Sequence, residues 1–131
     1  MNGKWFCLIA VCFLELPLLS CAAGQRLVSV SVTPTTVIFE GIGAQVQFTA
    51  IGTFVHPPST KIISDQVTWT IDVQNLATIT TTGVATATNI CGKGNVIATA
   101  NATLANAPPG TVMQGRASIQ GIDDGTAQCM P

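Results

Sequence analysis

Val67-Thr68-Trp69-Thr70-Ile71-Asp72 is the stretch that decides the fold. Apolar side chains stand at Val67, Trp69 and Ile71, with polar ones at Thr68, Thr70 and Asp72 between them. A period of two puts alternate side chains on opposite faces of an extended chain, one toward a core and one toward water. The same alternation recurs upstream. Val28, Val30 and Val32 interleave with Ser29, Ser31 and Thr33, and Ala44, Val46, Phe48 and Ala50 interleave with Gln45, Gln47 and Thr49. Downstream, further strands are predicted over 77–80, 84–88, 95–104 and 116–122. Turn signals divide them: Thr33-Pro34, Gly41-Ile42-Gly43, His56-Pro57-Pro58, Gly83, Gly92-Lys93-Gly94 and Pro108-Pro109-Gly110.

No segment reads as a helix. Thr is the commonest residue, and its branched β-carbon fits a pleated surface better than a helix interior. About seven short strands at this spacing predict an all-β protein, a sandwich of two sheets. Trp69 is its expected centre, with Phe48, Ile71, Ile79, Val96 and Ile119 packed around it. Small Ala85, Ala87, Ala98 and Ala100 would let the sheets approach closely beside the indole. Gly83 and Gly94 precede strands where a tight turn calls for positive φ. Pro34 cannot donate to a ladder and suits an edge where the chain changes sheets.

Six pieces in order carry a resemblance. They are Val30-Ser31-Val32-Thr33-Pro34, Gly43–Ala50, Val67-Thr68-Trp69-Thr70, Leu76-Ala77-Thr78-Ile79, Gly83–Ala87 and Gly94–Ala100. Together, across about residues 27–122, they resemble the bacterial immunoglobulin-like domain, group 2. The resemblance implies an immunoglobulin-like β-sandwich over residues 27–123, followed by a tail at 124–131. It also implies a place in surface proteins such as adhesins and invasins, where such domains often serve in tandem as spacers. Two features depart from the pattern: Thr70-Ile71-Asp72 where serine often follows the tryptophan, and a long connection from Ala105 to Gln114.

Composition excludes several classes. Charged residues make up only 8% of the chain and Lys and Arg number 5, too few to form the basic stripe that nucleic acid requires. Long runs rich in Glu, Lys and Leu are missing, which excludes a coiled coil. A hydrophobic content of 47% argues against disorder.

The N-terminus carries an address. Lys4, an apolar run from Trp5 to Leu14 and a small-residue exit fit a secretory signal over residues 1–20. Glu15 and Pro17 interrupt the run before it reaches the length of a spanning helix. Leu18-Leu19-Ser20-Cys21 resembles the bacterial lipobox, which implies a lipid-modified Cys21 at the start of a short linker (21–26) and membrane attachment through it. The alternative is ordinary cleavage near Ala22-Ala23-Gly24, which leaves no lipid. The resemblance implies a place in the cell envelope, on the outer membrane or cell surface, with stable attachment from more than one acyl chain. After removal of Cys7 and Cys12, and with lipid on Cys21, Cys91 and Cys129 remain as a pair in a compartment that permits disulfides. A bridge would add about 4 kcal/mol in the chain-entropy model; two unrelated thiols are the alternative.

Candidate chemistry is sparse. His56, the one His, sits in a proline-flanked loop from Gly52 to Lys61, without a nucleophile and orienting partner of recognisable spacing. One His and two cysteines fall short of a zinc site. Asp123-Asp124-Gly125 lacks the alternating acids of a calcium loop and reads as a turn. Gly92-Lys93-Gly94 is too short for a phosphate loop, and Asn101-Ala102-Thr103 matches a glycosylation sequon within an expected strand. The expectation is a non-enzymatic protein with no cofactor. Its function is then either surface binding of a protein or glycan, or a structural spacer role; a carbohydrate-binding module is the third reading. Phe54 beside His56 is the expected exposed contact, with Phe54 capping the sandwich end as the alternative.

Overall fold

In a computed structural model, residues 25–101, 104, 106 and 110–122 are described. Ten strands are found among them: β1 (Arg26–Thr33), β2 (Thr36–Glu40), β3 (Gln45–Gln47), β4 (Thr49–Val55), β5 (Ser59–Ile62), β6 (Val67–Ile71), β7 (Ala77–Ile79), β8 (Val84–Ala87), β9 (Gly92–Ala100) and β10 (Gln114–Ile122). One layer is a four-stranded sheet in the order β2-β10-β9-β6. The other consists of β1-β4-β5 and β3-β8-β7, joined because β3 and β4 are one run of chain interrupted at Phe48. Neighbours pair antiparallel, except β2 and β10, which run parallel from Thr36↔Ser118 to Glu40↔Ile122. The expected immunoglobulin-like sandwich is the fold observed.

Particular residues explain the joins. β1 belongs to one layer and β2 to the other, and the chain changes layers at Thr33-Pro34, where a missing N–H costs no ladder bond. At Phe48 the chain turns from one strand partner to another. Its N–H donates to Gly83 O at 2.8 Å, after which β4 leaves β8 and pairs with β1 and β5.

Trp69 lies at the centre. It is 7% exposed, its ladder partner is Ala98, and its Nε1 donates to Ser64 O at 3.0 Å, which satisfies the indole's polar atom. Phe48, Val96 and Ile119 are fully enclosed, as are Ala85 and Ala98. Gly83 adopts φ +89, and a Cβ there would lie 2.7 Å from Phe48 O and 3.0 Å from Trp69 Cζ2.

The structure corrects several expectations. Ile71 and Ile79 are half-buried against the core, because they flank the open side between edge strands β6 and β7. Phe39, Leu27, Ile63 and Leu76 supply the bulk in their place. Leu27, not Val28, faces inward, since the β1–β4 register shifts between Leu27 and Ser29 and reverses the phase. The Gly52–Lys61 region is not a loop but the β4–β5 hairpin, with the two prolines confined to its turn. β9 ends at Ala100, short of Leu104. Gly94 lies inside β9 and is needed for close approach: a Cβ would sit 3.0 Å from Asp72 Oδ1.

Gly83 and Gly43 separate two costs. Both have positive φ, but around Gly43 nothing lies within 4 Å of a built Cβ. Gly83→Ala is therefore expected to destabilise by roughly 1–3 kcal/mol through strain and collision, and Gly43→Ala by clearly less. Chemical denaturation of the two variants checks the order; equal losses contradict it.

Candidate functional site

Strand alternation sends Phe54 inward. It is only 4% exposed, which corrects its expected role as an exposed contact: the ring belongs to the core cluster, packed where Leu27 and Ile63 also converge. His56 lies at the hairpin turn, exposed, with φ 63. The two residues are neighbours in sequence and are not brought together as one surface. Among the core residues expected from sequence, Trp69, Phe48 and Val96 meet in one cluster.

What covers Phe54 is a group of polar side chains from separate elements. Lys61 Nζ stands 5.2 Å from the Phe54 ring centroid and donates to Gln25 Oε1 at 2.6 Å. Gln25 Nε2 in turn donates to Ser59 Oγ at 3.1 Å, and Asn106 Nδ2 donates to Gln25 O at 3.4 Å. Gln25, Lys61 and Asn106, with Phe54, Ile63, Gln66 and Leu104, border a groove of about 330 Å³ at the N-terminal end of the sandwich. An ammonium, several amides and an apolar floor can hold a polar ligand by hydrogen bonds and bury its apolar edge. Sequence reading missed Gln25 and Lys61. Their partners lie 34 and 36 residues away, and no local pattern marks such contacts.

A second polar cluster sits toward the other end. Asp72 accepts from Asn95 N at 2.7 Å and from Asn95 Nδ2 at 2.8 Å. The Asn95 side-chain amide, then its backbone N–H, hold the Asp72 carboxyl below its ordinary value of 3.8, against a small opposing effect of burial; the Val73 N–H and the Arg116 charge add to the lowering. Gly94 leaves room for this carboxylate.

Cys91, half-buried just before β9, is disulfide-bonded. Cys129 and the lipid-acceptor candidate Cys21 lie outside the described residues, as do Asp123, Asp124 and Gly125. Among the described residues no three His, Cys, Asp or Glu side chains are grouped to hold a metal ion, and no helix is long and apolar enough to cross a membrane.

Two polar-lined layers closed over one indole, with their polar groups committed to holding strands together, define an immunoglobulin-like module. The family model of the bacterial Ig-like domain (group 2) matches residues 27–108. That span is more than half of the chain, and the chain belongs to this family. No curated protein matches it. Domains of this family are generally non-enzymatic and typically extracellular or surface-exposed.

Asp72 gives a pH test. Its carboxyl is depressed in the folded state, so its contribution to stability is complete above the unfolded value and is lost as pH falls through 3.8 toward the folded value. The group is exposed, so the amplitude is small. The gap in urea midpoint between wild type and Asp72→Ala is expected to close as pH drops below 3.8; a constant gap contradicts the assignment.

Proposed function

We propose that this chain is a non-enzymatic lipoprotein of the cell envelope, anchored through Cys21, whose Ig-like sandwich presents a surface to a protein or glycan partner. The observation that carries this reading is positional. A domain of a family typical of cell surfaces begins its first strand at Arg26, directly after the Leu18-Leu19-Ser20-Cys21 exit. Two or more acyl chains at Cys21 give stable attachment where one is marginal.

The Cys91 bridge fits the same compartment. Cys129 is proposed as its partner. Gly121 is the ladder partner of Gly92, so the chain leaves β10 beside Cys91 with only residues 123–128 before Cys129. A closed bridge ties the C-terminal segment to the end of the sandwich where β9 begins.

A spacer role in an envelope assembly is the second reading, and the reach of the domain favours it. The longest strands, β9 and β10, have 9 residues, about 30 Å of extended chain. One such domain stands close to its membrane.

Metabolic labelling with an acyl analogue tests the anchor: the label is expected on the wild type and lost in Cys21→Ser, and a label that persists contradicts the reading. Peptide mapping without reductant is expected to return Cys91 linked to Cys129. Binding of the purified protein to a panel of matrix proteins and glycans supports the recognition role; silence across the panel supports the spacer.

A further inference from the structure

Gln25 is held from two sides before β1 begins. Its side chain bonds Ser59 and Lys61 on β5, and its carbonyl accepts from Asn106 in the β9–β10 connection. Only Ala22, Ala23 and Gly24 then separate it from Cys21. Four extended steps of about 3.6 Å cover at most roughly 14 Å, about half the length of β9 or β10. A tether from Cys21 is shorter than the body that it holds.

Charge is distributed along the same axis. Arg26, opposite Val55, and Lys61, opposite Gly52, are exposed in the half that carries Gln25. The far end is mixed, with Glu40 opposite Ile122 and Lys93 opposite Gln120; Arg116 lies on β10 opposite Ile97, and Asp72 follows the end of β6, bonded to Asn95. Asp65 stands midway, next to Ser64, which caps Ala50 N. Among the described residues the Gln25 end has cations and no carboxylate.

We propose that the Gln25 clamp holds the β4–β5 end of the sandwich against the bilayer, with Arg26 and Lys61 facing anionic phospholipid headgroups. The inference rests on acylation of Cys21. The hairpin turn with His56 then lies on the membrane side. The opposite end, where Ile42 is 61% exposed, is turned away from the bilayer. Anionic headgroups attract basic side chains within about a Debye length of the surface, and even a fully extended tether holds Arg26 within about two such lengths of Cys21.

The test places a reporter indole at each end of the full-length protein after export: Thr60→Trp on β5, or Ile42→Trp in the β2–β3 connection. Acylated protein is reconstituted in vesicles of phosphatidylcholine and phosphatidylglycerol, with and without a headgroup nitroxide lipid. Thr60→Trp is expected to lose its emission to the nitroxide, while Ile42→Trp keeps it. Gln25→Ala in the Thr60→Trp background restores part of the emission, and a long flexible insert after Gly24 removes the difference between the ends. Equal quenching at both ends of acylated protein overturns the orientation alone. Quenching unchanged by Gln25→Ala overturns the clamp. Mass spectra without an acyl group on Cys21 overturn the anchor, and the orientation with it.

Discussion

The structure depends on room for one large ring. Trp69 is enclosed between two layers because the residues beside it are small or lack a side chain: Ala98, its ladder partner on β9, and Gly83, whose absent Cβ leaves space against the ring. The indole also needs a partner for its N–H, since an unmade bond at a buried donor costs more than a made one contributes. Ser64 O provides it. Ser64 also accepts from Ala50 N through its hydroxyl, so a single residue after β5 fixes both the ring and the start of β4. Close packing, a satisfied donor and the path of the chain are met together at this point.

Much of the fold was legible because alternation survives wherever strands are half-buried. β6, β8 and the central part of β9 follow directly from Val67–Ile71, Val84–Ala87 and the alternating Val96 and Ala98. The layer change at Pro34 was legible for the same elementary reason, a missing N–H. Concealed segments have physical causes. Along β4 the inward positions are Ala50, Gly52 and Phe54, but Gly52 shows no apolar side chain because a Cβ would lie 2.9 Å from Leu27 Cδ1. Close packing itself erased the pattern, and the prolines then made a hairpin look like a loop. β2 was missed because it follows Pro34 so closely, although Val37 and Phe39 alternate inward.

The candidate site was less legible than the fold. Phe54 was picked out as an exposed aromatic, whereas its ring is part of the core and only Lys61 above it remains accessible. Gln25 and Lys61 are ordinary polar residues in sequence. Their significance comes from hairpin register, which sets Lys61 opposite Gly52 and so within reach of the start of β1. The Gln25 contacts fasten a chain end, and the Asp72–Asn95 contacts fasten an edge strand.

The most direct measurement is hydrogen exchange at the Trp69 indole N–H, followed by NMR in a Trp5→Phe chain that leaves one indole signal. A ring closed between two sheets and bonded to Ser64 O exchanges only when the sandwich opens, so its rate should match that of the slowest backbone amides in β6 and β9. Exchange at the rate of a free indole, with those amides still protected, would show that the two layers do not close over Trp69.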